Sequence, residues 1–161
     1  MTFKPGWHIY FASGFFNDTQ RELCDFIELL ETDHLPIYSP RKDGFVLEPH
    51  ATIEERHEVF TENIKAISVA NMMLAVIDDF DTGVIWEMGY GYAANIPILA
   101  YSDVAGRGLN VMLAGSCKLG FINDRRELNR LFTEMDNYGQ DDMDPVAFAE
   151  FPCNTWAGEI Q

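Results

Sequence analysis

Residues 72–77 read Met-Met-Leu-Ala-Val-Ile, an apolar run without a polar interruption. A strand with no polar side cannot sit on a sheet face open to water. It belongs inside a parallel sheet covered by helices on both sides. The other segments fit around it. His8 to Ala12 is a short apolar run leading into Ser13 and Gly14, as expected of a buried first strand. Asn17 and Gln20 have the spacing of a capping box, and Leu23, Phe26, Ile27 and Leu30 follow at helical period, predicting a helix from Asp18 to about Thr32. Leu35 to Ser39 reads as a second strand and Pro40 to His50 as a loop. Thr52 and Glu55 form a second capping box, with Ile53, Phe60, Ile64 and Ile67 as the expected buried face of that helix. Beyond the central strand, a helix is expected from about Val84 to Ala94 and a strand from Pro97 to Tyr101. A short helix over Leu109–Leu113, a weak strand over Lys118–Ile122 and a last helix over Arg125–Asn137 complete the pattern. Strands alternating with helices predict right-handed βαβ units. The fold class is α/β, a doubly wound Rossmann- or flavodoxin-like sheet of about five mainly parallel strands with helices on both faces. Residues 1–161 read as a single domain, with 138–161 an acidic, irregular C-terminal tail.

The formal net charge is −15, from 26 acidic and 11 basic side chains. Such a surface repels nucleic acid and anionic membranes, so a neutral or weakly charged small molecule is the expected ligand. Cys24, Cys117 and Cys153 are far apart and form no CxxC pair, which favours reduced thiols over a disulfide frame or zinc site. No segment has the length of a membrane span and Met1 to Trp7 carries no apolar leader core, so a soluble, cytoplasmic protein is expected. His8, His34, His50 and His57 show no metal-ligand spacing. Neither a GxGxxG nor a Walker loop is present, so no metal and no cofactor is expected.

In open α/β sheets ligands bind at the carboxyl ends of the strands. That rule selects Tyr10–Phe16, Ser39–Phe45, Asp78–Glu87 and Tyr101–Asn110. The segment Asp78–Ala93, DDFDTGVIWEMGYGYA, holds the most chemistry. Asp78, Asp79 and Asp81 follow the central strand, and Glu87 lies among Trp86, Met88, Gly89 and Tyr90 on the helix. A solvated helix face accounts for most glutamates. Against that, Gly89 and Gly91 each cost the helix roughly 1 kcal/mol relative to alanine, which suggests a close approach to the backbone. A fixed carboxylate suits glycosidic displacement, because it stabilises an oxocarbenium-like anomeric carbon and can then bond to it. A helix starting near Thr82 would place Glu87 within about two turns of the positive helix end, helping it stay ionised.

Three blocks in order resemble the nucleoside 2-deoxyribosyltransferases: His8-Ile-Tyr-Phe-Ala-Ser-Gly-Phe-Phe-Asn17, Asp81-Thr-Gly-Val-Ile-Trp-Glu-Met-Gly89 and Leu109-Asn-Val-Met112. The resemblance runs from about residue 8 to residue 113. It implies that Glu87 is the nucleophile of a covalent deoxyribosyl intermediate, that Tyr10 orients it, and that Asp81 binds sugar hydroxyls or assists at the base. Read alone, Tyr10 would pass as a core tyrosine and Asp81 as a helix cap. The resemblance further implies that Phe16 packs on the nucleoside, and that Asn110 and Met112 reach a neighbouring subunit's site. The expected assembly is then a homo-oligomer built on dimers, up to a hexamer, with shared active sites. Its partners would be deoxynucleosides and free nucleobases, in nucleotide salvage. Where the family commonly has an Asp facing the base, this chain has Asn63, which cannot act as a general acid. Glu62 or Asp43 could substitute, or hydrogen bonding alone could activate the base. Asp43 lies in Ser39-Pro-Arg-Lys-Asp-Gly44, the stretch where the family binds the base. Trp156 and the Gln161 carboxylate are candidates for closing the site. Two further readings use the same fold: a hydrolase of deoxynucleoside 5′-monophosphates, and a non-catalytic nucleotide sensor. The loop Ala12–Asn17 has aromatic residues and no Arg, unlike a phosphate loop, and so favours an uncharged nucleoside.

Overall fold

In the computed structural model, which describes residues 8–138, five strands form one sheet and all neighbouring pairs are parallel. The elements are β1 (Ile9–Ala12), α1 (Asp18–Glu28), β2 (Ile37–Tyr38), α2 (Pro40–Asp43), α3 (Ile53–Val69), β3 (Met72–Val76), α4 (Thr82–Ala93), β4 (Ile98–Tyr101), α5 (Val111–Ser116), β5 (Gly120–Ile122) and α6 (Arg125–Tyr138). The strand order is β2-β1-β3-β4-β5, the flavodoxin-like order, with the apolar β3 at the centre and every β3 residue buried. Winding reverses between β1 and β3, which leaves a crevice at the carboxyl ends of those two strands.

Period-two alternation sends the strand side chains to two different cores. Ile9, Phe11, Met72, Leu74 and Leu99 pack with Leu23 and Ile27 of α1 and with Leu128 and Phe132 of α6. Tyr10, Ala12, Met73, Ala75 and Ala100 face the other way, toward Ile67 of α3, Val84 and Met88 of α4, and Ala114 of α5. On this second face Ala12, Ala75 and Ala100 are register partners across β1, β3 and β4. The row of small side chains lets α4 lie close to the sheet. Gly91 belongs to the same approach, since a Cβ there would sit 3.0 Å from Met73 Cε. Gly89 has nothing within 4 Å of such a Cβ, so close packing does not explain it. The result is that Glu87, one residue before buried Met88, is carried over the end of β1.

Both capping boxes form, at Asn17–Gln20 and Thr52–Glu55. Four expectations need correction. The first helix ends at Glu28 instead of about Thr32, because Thr32 enters a turn in which its hydroxyl accepts from Leu35 N–H at 3.1 Å. The expected loop from Pro40 begins with the short helix α2, for which Pro40 supplies a preset first-turn φ. The buried face of α3 is not the expected one. Ile67 is buried and Ile64 partly so, but Ile53 and Phe60 are exposed. The N-terminal half of α3 lies beyond the core, where Val59 and Asn63 line a cleft. The helix after the central strand starts earlier than Val84, at Thr82, because Asp81 caps it. The tail after Tyr138, with Cys153, Trp156 and Gln161, lies outside the described residues.

Candidate active site

Tyr10, the second residue of β1, is fully buried, and its hydroxyl donates to Glu87 Oε1 at 2.6 Å. The two residues are 77 positions apart and meet only because β1 neighbours β3, whose crossover helix carries Glu87. Burial is the largest influence on Glu87 and raises its pKa; the Tyr10 hydrogen bond lowers it and the Asp81 charge raises it, leaving it at about 7. The Tyr10 phenol is pushed far above its ordinary range, first by burial and then by the Glu87 charge. Tyr10 is therefore a permanent donor and Glu87 a carboxylate that ionises near neutrality. Among the described residues Oε1 is the only Glu87 oxygen that accepts a hydrogen bond.

Glu87 opens into a cleft of about 480 Å³ whose wall includes Phe16, Arg21, Phe45, Val59, Asn63 and Asp81. Such a volume holds a small molecule. Phe16 is 71% exposed at the rim, stacked on Phe15 with ring centroids 5.1 Å apart. Phe45 and Val46 are also exposed and line the same cleft. Apolar and aromatic faces around a void with one polar floor suit a flat, largely uncharged ring. Arg21 is the cation of this wall, but its guanidinium is engaged by Asp18 at 2.6 Å and by the Phe15 carbonyl at 3.3 Å. Phe45 closes the Ser39–Phe45 segment that the strand-end rule selects, whereas Arg21 and Val46 carry no signal in the sequence pattern, because neither follows from periodicity.

Asp81 does two things at once. Its Oδ1 accepts from Gly83 N–H at 2.9 Å and Val84 N–H at 3.0 Å, capping α4, and the same residue lines the cleft beside Glu87. Asn63 faces the cleft from α3. Asp43 does not: its Oδ2 accepts from Ser39 N–H at 2.9 Å and lies 3.6 Å from Lys42 Nζ, closing α2 on itself. Asn110 caps α5 by accepting from Met112 N–H at 2.8 Å. Asn110 and Met112 are exposed, Met112 at 77%, and neither lines the cleft of its own chain.

A second cleft of about 450 Å³ adjoins the first at Ser13 and Asp81 and continues past Asp78, Asp79 and Asp103. Despite these carboxylates, no group of three or more His, Cys, Asp or Glu among the described residues is placed to hold a metal ion. Among the described residues no helix is long and apolar enough to cross a membrane.

Among curated protein sequences none matches this chain. A 2-deoxyribosyltransferase from the psychrotolerant bacterium Bacillus psychrosaccharolyticus superposes with a TM-score of 0.70 at 25% identity, over 88% of this chain and 95% of that one. A conserved protein from Enterococcus faecalis V583 shares the fold, with a TM-score of 0.64 at 21% identity over 80% of this chain and 98% of that one. The sequence pattern of the nucleoside 2-deoxyribosyltransferases matches residues 9–127, a span that takes in β1, Asp81, Glu87 and all five strands. The chain belongs to the nucleoside 2-deoxyribosyltransferase family.

Proposed function

We propose that this protein moves 2-deoxyribose between nucleobases through a covalent ester at Glu87. The observation that carries this reading is the Tyr10–Glu87 pair, 2.6 Å apart, at the floor of an aromatic-rimmed cleft. In the first half-reaction Glu87 Oε2 attacks C1′ as the bond to the base breaks. In the second, an incoming base displaces the ester. Each displacement inverts C1′, so the product keeps the β configuration. Tyr10 holds Oε1 and fixes the carboxylate plane, which leaves the other oxygen aimed at the sugar. Phe16 and the Phe45–Val46 stretch supply stacking and apolar contact for the base. Asp81, already fixed as a cap, presents a carboxylate to sugar hydroxyls without further ordering cost.

The experiment is to incubate deoxyinosine with adenine and separate the products. Deoxyadenosine with the β configuration, together with an added deoxyribosyl group on the Glu87 peptide after acid quench, is the expected result. Hypoxanthine and free deoxyribose without deoxyadenosine would make the protein a hydrolase. Ligand binding without any product would make it a sensor.

The same reading includes sites shared between subunits of a homo-oligomer. Asn110 and Met112 support it because they are exposed and away from their own cleft. Asn110→Asp keeps the capping acceptor and removes the amide donor, so it separates a role in the neighbour's site from a role in α5. Glu87→Ala and Asn110→Asp should each be weak alone. Across a two-fold axis, a mixed pair places both lesions in one site and neither in the other. Refolding the two proteins together should then restore roughly a quarter of wild-type activity. No recovery, with subunit exchange verified by mass, would place the whole site in one chain.

A further inference from the structure

Among the described residues other than glycine, φ is positive at Phe80 and Asn95 alone, at 48° and 61°. Asn95 follows the C-cap of α4, where an asparagine in this conformation is ordinary. A bulky phenylalanine is not, because its Cβ crowds the backbone and the residue relaxes unless its surroundings hold it. Phe80 lies between β3 and α4. The next residue is Asp81, which caps α4 and lines the cleft beside Glu87. The strained φ therefore sets the direction in which the chain delivers the Asp81 carboxylate. Strain at such a place requires a support.

Arg107, from the stretch between β4 and α5, supplies it. Its guanidinium carbon stands over the Phe80 ring, 4.9 Å from the centroid, and its Nη2 donates to the Asp78 carbonyl. One side chain thus holds both the ring of Phe80 and the backbone two residues earlier. A turn brings Arg107 there: its N–H donates to the Val104 carbonyl at 3.3 Å, and Gly106 takes a φ of 69°. The Asp78 end is fixed separately, since Asp78 Oδ1 accepts from Asp103 N–H at 3.0 Å and from the Ser102 hydroxyl. Two features show that Arg107 serves conformation and not charge pairing. Among the described residues it has no ion pair, although Asp78, Asp79 and Asp103 line the adjoining cleft. Its Nε is buried without a hydrogen-bond partner. A buried donor left unpaired costs free energy, so the ring and carbonyl contacts are what draw the side chain in.

We propose that Arg107 is a positioning residue that braces Phe80 in its strained conformation and thereby holds the Asp81 carboxylate in place for the sugar of the substrate. The inference rests on the transferase reading above, in which Asp81 meets sugar hydroxyls. Arg107 itself lines neither cleft, so it acts through Phe80 and not on the substrate. Without the brace, residue 80 returns to negative φ and the chain leading into α4 turns. Asp81 then gives up its place in the cleft or its cap on Gly83 and Val84.

Glycine at position 80 separates this role from any other that Arg107 could have, because glycine takes positive φ without support. Transfer from deoxyinosine to adenine is measured for wild type, Arg107→Met, Phe80→Gly and the double variant. Arg107→Met should lower kcat/KM for deoxyinosine about thirtyfold, as expected when a substrate contact is misplaced. Phe80→Gly alone should lower it about threefold, since glycine also samples other conformations. Adding Arg107→Met to Phe80→Gly should cost no more than about a further twofold, a non-additivity that marks two residues acting through one contact. A crystal structure of Arg107→Met should show residue 80 at negative φ and the Asp81 carboxylate displaced, a readout that needs no turnover. Additive losses in the double variant would overturn the brace, as would an unchanged φ at residue 80 in the Arg107→Met structure. If Arg107→Met is too unstable to assay, the double variant should still fold and transfer like Phe80→Gly, and its failure to fold would also overturn the brace. Wild type that transfers no deoxyribose would overturn the transferase reading instead, and the variant structure would still decide the brace.

Discussion

Two tyrosine–carboxylate pairs lie on opposite faces of the sheet, and they have opposite characters. Tyr10 within β1 donates to Glu87, and Tyr101 at the end of β4 donates to Asp103. Burial pushes both carboxylates up. At Asp103 the hydrogen bonds of Arg125 and Tyr101 outweigh burial and hold the group below its ordinary range. At Glu87 there is no cation, the Tyr10 bond only partly offsets burial, and the pKa rests at about 7. One guanidinium separates a stabilising ion pair from a carboxylate poised for chemistry. Arg125 clamps Asp103 through Nε at 2.9 Å and also reaches Glu22 at 3.0 Å, joining β4 to α1 and α6. Perturbed carboxylates without a structural partner are the ones expected to react.

The most drastic way to break this contrast is to remove the reactive member. Glu87→Ala should lower transfer by several orders of magnitude with the fold intact, because covalent catalysis fails without the nucleophile. Retention of more than about a tenth of the activity, measured as kcat, would end the covalent reading. Tyr10→Phe should cost about 10- to 100-fold, the worth of a hydrogen bond to a charged group. The sign of its pH effect is also set. The Tyr10 bond lowers the Glu87 pKa, so deleting it must move the rising limb of the pH–rate profile from near pH 7 to higher pH. A limb that stays in place would mean that another group controls it.

The same carboxylate has a stability signature. A folded-state pKa of about 7, against an ordinary 4.5, means that the folded protein binds a proton the unfolded chain has lost between those values. Stability therefore falls as pH rises through this window. The displacement corresponds to about 3 kcal/mol when fully expressed above pH 7. Glu87→Gln should accordingly stabilise the protein at pH 8 and do almost nothing at pH 4, read from urea midpoints. Equal effects at both pH values would show that Glu87 is not charged at a cost in the native state. The structural pair should behave in reverse. Arg125→Gln should lose about 1 kcal/mol of stability near neutrality, a modest figure because the side chain is more than a third exposed. Its effect on transfer should be slight, and a large loss of kcat would erase the distinction between the two pairs.

Much of the fold was legible in the sequence because it depends on local signals. The apolar run of β3 implied a central parallel strand, and the boxes at Asn17–Gln20 and Thr52–Glu55 marked helix starts that the structure keeps. The face of α3 was not legible. Ile53 and Phe60 are apolar yet exposed, while the polar Asn63 lines the cleft, so the pattern there follows the cleft and not the core. Nor could periodicity pair Tyr10 with Glu87 across 77 residues, or stack Tyr38 on Tyr10. Those contacts arise from strand order and register. The first entered the sequence reading only through family resemblance, and the second had no signal at all. Asp43 shows the converse, a charged residue in a promising loop that the short helix α2 turns to its own use.

The finest adjustment of the contrast lies at Asn63, on the cleft wall across from the nucleophile. Asn63→Asp adds a titratable group to the base side without changing size. If this wall meets the base, the new carboxyl can share in proton transfer, and turnover of donors with poorly leaving bases should rise about two- to fivefold. The gain should appear on the acid side of the profile, where the added group is protonated, and should fade as pH rises. A second carboxylate near Glu87 also disfavours ionisation of the nucleophile, so the rising limb near pH 7 should move slightly upward. These two displacements oppose each other in a single-pH assay, which is why the full pH–rate profile is the measurement. A profile identical to wild type would mean that the base never approaches this stretch of α3, and would place base recognition on the Phe45–Val46 side of the cleft.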